Sequence, residues 1–145
     1  MERLHCTCVQ VDGTGVLLCG RPAGGKSDLA LRLIDGGGVL VADDYTEVEA
    51  RDGRLFGHAP ETIRGLLEVR GIGVVKLDFA DEAAIGLIIE LVPGGENIER
   101  LPDPAARDVQ GVALPLFRLS PFEASAISKV RLAVRIADGS AKRIP

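Results

Sequence analysis

Gly20-Arg21-Pro22-Ala23-Gly24-Gly25-Lys26-Ser27 constrains this chain more than any other stretch. An apolar run, residues 16–19, precedes it, and a helical pattern over Lys26–Asp35 follows, with Leu29, Leu33 and Ile34 on one side. A Gly-x-x-x-x-Gly-Lys-Ser loop between a strand and a helix is a P-loop. Its glycines let backbone N–H groups turn inward, and the helix N-terminus adds favourable potential for an anion. The loop therefore predicts binding of nucleotide phosphates, with Lys26 supplying charge to the β- and γ-phosphates and Ser27 a hydroxyl for Mg²⁺. It also predicts an α/β fold with ligands at the carboxyl ends of the strands.

The rest of the chain fits that class. Its 145 residues suit one domain, residues 1–145, and no repeat or linker divides it. Aromatics are 3% of the chain, so the core must be aliphatic, and base-stacking nucleic-acid platforms are disfavoured. A net charge of −4 argues in the same direction. Neither a membrane span nor a leader pattern is visible, which makes a cytoplasmic location the expectation. Cys6, Cys8 and Cys19 lack zinc-site spacing and read as reduced, partly buried thiols.

Strands are expected over 4–11, 16–19, Val39–Ala42, 84–92 and 111–119, and a hairpin over 48–56. Residues 63–67 suggest a short helix, and residues 69–77, with Gly71 and Gly73, a bent strand. Gly36-Gly37-Gly38 should end the first helix. A last helix is expected from Ser120, an N-cap followed by Pro121 and Glu123, to about Ala137. Asp43-Asp44 ends the strand after the P-loop helix. Neighbours on a strand face opposite ways, so one of the two carboxylates should take the central role, and spacing alone does not separate that reading from a solvated acidic turn.

Several segments together resemble the HPr kinase/phosphorylase family: His5 ahead of the P-loop strand, Val41-Ala42-Asp43-Asp44, His58-Ala59-Pro60-Glu61, and above all Leu67-Glu68-Val69-Arg70-Gly71-Ile72-Gly73. The likeness is good over residues 4–92 and covers that family's catalytic domain alone, as in a short form. It implies a P-loop mixed sheet with flanking helices, similar to the carboxykinases. It also implies an ATP- and Mg²⁺-dependent kinase acting on a serine of HPr, or of an HPr-like phosphocarrier of the phosphotransferase system, assembled as a hexamer. By the same likeness Asp44 is the catalytic base, Lys26 holds phosphate, Ser27 and Glu68 are the Mg²⁺ ligands, His5 stands beside the phosphate, and Arg100 is set against a catalytic arginine. Arg70 is implied as a supporting residue. The pattern departs at Ala23, where glycine is usual, at Pro93-Gly94-Gly95, and at Pro121-Phe122-Glu123-Ala124, where a Pro-Gly-Arg-Asn-like loop linked to dephosphorylation is expected. The phosphorylase activity is therefore in question. Two other readings remain: a small-molecule phosphotransferase or carboxykinase-like enzyme, and a non-enzymatic nucleotide-sensing module.

Overall fold

A computed structural model describes residues 1–144. Among them are eleven strands and two α-helices, with the last eight strands lying between the helices. In order they are β1 (Glu2–Leu4), β2 (Cys6–Val11), β3 (Thr14–Cys19), α1 (Lys26–Asp35), β4 (Val39–Ala42), β5 (Thr46–Arg51), β6 (Arg54–His58), β7 (Leu66–Val69), β8 (Gly73–Lys76), β9 (Ala83–Leu91), β10 (Ala105–Val109), β11 (Val112–Leu119) and α2 (Ala126–Ala137). Nine strands form one mixed sheet in the order β1-β5-β6-β9-β3-β2-β4, with β11 pairing β9, and β10 pairing β11. The β7–β8 hairpin forms a separate two-stranded sheet.

Alternation along the strands splits the core in two. Val16 and Leu18 join Leu87, Ile89 and Leu91 beneath both helices, where Leu29, Leu33, Val130 and Val134 bury the apolar stripes of α1 and α2. Leu17 and Cys19 point the other way, into a cluster with Val41, Leu55, Ile85 and Ile88. Leu17 and Leu18 are both fully buried, each worth about 2 kcal/mol of transfer free energy. β3 carries apolar side chains on both faces because it lies between β9 and β2 with cores above and below.

Strand direction positions the site. β3, β9 and β11 run parallel. β2 is antiparallel to β3 and to β4, so β4 runs with β3. One edge of the sheet therefore collects the carboxyl ends of β3, β4, β9 and β11 and the start of β2. The P-loop, Asp43-Asp44, the segment after Leu119 and His5–Thr7 all meet there.

Several sequence expectations are corrected. The strand expected over 4–11 breaks at His5, which lies in a bend between β1 and β2. Residues 63–67 hold no helix of their own; a 3₁₀ turn, Glu61–Ile63, leads into β7. The bent strand over 69–77 is a hairpin, turned where Gly71 takes φ 84°. β10 was not anticipated: Ala105–Val109 has no apolar alternation, and its pairing with β11 through a Gln110-Gly111 turn forms it. α2 starts at Ala126, not Ser120. Ser120 is buried, and its hydroxyl donates to the Pro93 carbonyl at 3.3 Å instead of capping a helix. At the end of α1 the left-handed residue is Gly37, φ 107°, while Gly36 has φ −88°. Cys6 and Cys19 are not reduced thiols. They face each other across β2 and β3, with Cα atoms 4.6 Å apart, and are joined as a disulfide. Two cysteines directly opposed on antiparallel strands meet the distance a disulfide needs. Such bonds are uncommon in reducing compartments.

Candidate active site

The carboxyl edge opens into a cavity of about 550 Å³. Pro22 to Asp28 form its floor. His5, Asp43, Asp44 and Tyr45 stand along one side, with Glu68, Val69 and Arg70 of the β7–β8 hairpin. Leu31 and Phe122 close it across α1. Of the residues named from the sequence, Pro22, Ala23, Gly24, Gly25, Lys26, Ser27, His5, Asp44 and Glu68 share this cavity. Gly20 and Arg21 line a neighbouring depression with Glu90 and Arg107. Arg100 is exposed in the loop after β9 and does not line the cavity.

The loop geometry follows from its glycines. Gly24 N–H closes a turn on the Arg21 carbonyl at 3.0 Å, and a Cβ on Gly24 would sit 2.7 Å from that same oxygen. Gly25, the N-cap of α1, takes φ 94°. A Cβ there would lie 3.0 Å from Pro121 and 3.1 Å from Phe122, so glycine is required on two counts. Ala23 also lies in the left-handed region, φ 59°. The departure from glycine at this position therefore carries backbone strain.

Lys26 is 6% exposed, and its ammonium donates to the Gly20 and Arg21 carbonyls at 2.9 and 3.0 Å. Among the described residues no carboxylate lies within ion-pair reach of it. A buried cation held by neutral oxygens at a helix N-terminus fits an anionic ligand, because burying it without an opposite charge is costly.

The two aspartates separate, but through the turn that follows β4 and not through strand alternation, since β4 ends at Ala42. Asp43 is 7% exposed and acts as a junction. Its Oδ1 accepts from Ser27 Oγ at 2.7 Å and from Thr7 Oγ1 at 3.2 Å, and its Oδ2 accepts from the Glu68 amide at 3.3 Å. Asp44 points into the cavity with its side chain 56% exposed. His5 Nε2 donates to Asp44 Oδ1 at 2.8 Å, and Tyr45 stacks on the His5 ring, centroids 4.8 Å apart. The Asp44 backbone is strained. It takes φ 67°, spanned by a Tyr45 N–H to Asp43 carbonyl bond of 2.7 Å, which is a γ-turn of the rare positive-φ kind. Fully buried Thr7 holds that turn as well, accepting from the Asp44 amide at 3.0 Å. Strain of this type persists only where the surroundings over-determine it, and it gathers at functional sites.

Ser27 and Glu68 are the candidate metal ligands. Ser27 Oγ is oriented by Asp43, and Glu68 is an exposed carboxylate on the cavity wall. Among the described residues no group of three or more His, Cys, Asp or Glu makes a metal site alone. One hydroxyl and one carboxylate fit Mg²⁺, which takes few protein ligands and fills its shell with substrate phosphates and water. Cys8 is no nucleophile. Burial pushes its thiol up to about 12, outweighing the bond to Val16 that lowers it.

The family model described as the HPr Serine kinase C-terminal domain matches residues 1–130. The chain belongs to that family. An HPr kinase/phosphorylase of Clostridium tetani (strain Massachusetts / E88) is 41% identical over 96 residues, 61% of this chain and 32% of that protein. Another, of Limosilactobacillus reuteri (strain DSM 20016), is 35% identical over 125 residues, 79% of this chain and 39% of that protein. This chain thus spans well under half the length of either. The solved structure of the Hpr(Ser) kinase/phosphatase from Coxiella burnetii matches with a TM-score of 0.84 at 25% identity, covering 97% of this chain and 98% of that one. The P-loop mixed sheet expected from the sequence is the fold found.

Thr7, Asp43, Tyr45 and Phe122 complete the site beyond the residues singled out as its machinery. Strand alternation pointed to a division between Asp43 and Asp44 without saying which served which. Thr7, Tyr45 and Phe122 carry no motif, and their roles follow from the meeting of β2, β4 and the segment after β11.

Proposed function

We propose that this chain is a Mg²⁺-dependent protein kinase domain that transfers the γ-phosphoryl group of ATP to a serine of HPr or an HPr-like phosphocarrier, with residues 1–145 acting as one catalytic unit. The observation that carries this reading is the pairing, in one cavity, of the anion-seeking Lys26 with the exposed, His5-held carboxylate of Asp44. A nucleotide-sensing module has no use for such a carboxylate.

Phosphoryl transfer depends on positioning and charge neutralisation. Lys26 would give up its two carbonyl partners to the β- and γ-phosphates. Ser27 and Glu68 would hold Mg²⁺, which offsets phosphate charge when bound. Asp44 would take the proton from the serine hydroxyl as its oxygen bonds to the γ-phosphorus and the bond to ADP breaks. His5 keeps the Asp44 carboxylate oriented, and Arg70 stands at the mouth as an added positive charge. Arg100 enters the proposal only if the loop after β9 reaches the site with substrate bound. The reverse, phosphate-releasing reaction should be slow, because Phe122, Glu123 and Ala124 replace the Gly-Arg-Asn pattern, and Glu123 is tied to Lys129 and Ser125. A homo-oligomer, a hexamer by resemblance, goes with the proposal and is supported by Leu132, 48% exposed on α2. So does a cytoplasmic location, since ATP is the substrate. Among the described residues no helix is long and apolar enough to cross a membrane.

The test is phosphoryl transfer from labelled ATP with Mg²⁺ to an HPr-like protein. Asp44→Asn should lower kcat by about 10²–10⁴-fold while Mg-ATP binding persists. Serine phosphorylation unaffected by Asp44→Asn would sink the assignment. ATP turnover that needs a metabolite and ignores the phosphocarrier would favour a small-molecule acceptor.

A further inference from the structure

We infer that Phe122 is the stacking platform for the nucleobase of the donor nucleotide, which adds a base subsite to the phosphate site; this rests on the ATP reading above. The chain has five Phe and Tyr residues and no Trp. Among the described residues only two aromatics are largely exposed, Phe122 at 59% and Tyr45 at 40%, and both line the same cavity. The Tyr45 ring is already covered by His5. Phe122 has no stacked aromatic or cationic partner among the described residues.

Position separates the two. Tyr45 stands with Asp44 and Glu68, where the transfer chemistry is placed. Phe122 lies at the N-terminus of α1, its ring edge where a Gly25 Cβ would lie, and Leu31 of α1 lines the same cavity. The cavity thus gathers the carboxylates of Asp44 and Glu68 around the Asp43 junction, the buried ammonium of Lys26 in the loop, and the Phe122 ring against Gly25, with the Asp28 carboxylate on α1 engaged by Arg32. A nucleoside triphosphate has the matching order of reacting phosphoryl group, polyphosphate and flat aromatic base.

The segment that carries the ring is also tied down. Arg32 donates to the Pro121 carbonyl just before it, and Glu123 just after it accepts from Lys129 and Ser125. A platform pinned on both sides loses little freedom when a base stacks on it. Every base presents a π-face, so stacking of this kind adds affinity with little choice among bases.

The experiment measures binding of Mg-ATP and of inorganic tripolyphosphate with Mg²⁺, which lacks a base. Phe122→Ala should weaken ATP binding about tenfold, within the range one stacked base supports, and leave tripolyphosphate binding unchanged. Phe122→Trp should restore ATP affinity. As the only Trp in the chain, it should also be quenched by ATP and not by tripolyphosphate. Phe122 is exposed, so neither variant removes core packing. Equal loss for both ligands, or no loss for ATP, overturns the platform and leaves the phosphate site standing. A wild-type protein that binds neither ligand overturns both readings.

Discussion

Ala23 shows how a single backbone angle decides the cost of a substitution. Alanine is nearly free in most loops, but at φ 59° its Cβ is strained by about 1–2 kcal/mol. Glycine there would lose about 0.5–1 kcal/mol to its larger unfolded-state freedom. Ala23→Gly should therefore stabilise the protein by roughly 0.5–1 kcal/mol in urea denaturation. A loss of stability would mean that the loop does not need the left-handed angle. Asp44 has the same kind of strain at φ 67°, but its side chain is the proposed base and its turn is held by Thr7. That Lys26 and Ser27 open α1 beneath the glycine loop was legible, because a motif places them. The strain at residues 23 and 44 was not, because φ depends on hydrogen bonds from distant residues.

At the scale of elements, Asp43 ties three of them together: β2 through Thr7, α1 through Ser27 and β7 through the Glu68 amide. Both carboxylate oxygens are used. Asn offers one acceptor oxygen and turns an N–H group toward an existing donor. Asp43→Asn should cost about 1–3 kcal/mol, the penalty for a buried polar group left unpaired. It should also weaken Mg²⁺-dependent nucleotide binding by freeing Ser27. Stability within error of wild type would remove Asp43 from that role. Among the elements, α1 and β4 were readable to the residue, since Gly36-Gly37-Gly38 closes the apolar period of α1 and opens the apolar run of β4, which Asp43-Asp44 ends. The helix start expected at Ser120 was not. The capping pattern there is real, but Ser120 is drawn to the Pro93 carbonyl and Pro121 to Gly25, which leaves residues 121–125 as turns.

The whole molecule is organised around one edge of one sheet. The Cys6–Cys19 bond joins β2 and β3 at that edge, one residue from His5 and one from Gly20. Closing a chain separation of 13 residues constrains the unfolded state, worth up to about 3 kcal/mol on a chain-entropy account and less where the hairpin already brings the strands together. Reduction should lower the melting temperature. Alkylation of the denatured protein should label one cysteine before reduction and three after, since the chain has three. Three labelled without reductant would show that the bond is absent.

By itself, the sequence determined the phosphate loop, its helix, the aliphatic strands and the family signature around Glu68. These follow from local rules: glycine spacing, side-chain period and residues adjacent in the chain. Only the tertiary structure decided that Asp43 orients Ser27 while Asp44 faces the cavity beside His5, that Cys6 meets Cys19, and that Phe122 stands against Gly25 of the P-loop. The Cys6–Cys19 contact depends on the register of the β2–β3 hairpin, and the others on strand order and direction, which bring residues 16 or more positions apart to one edge.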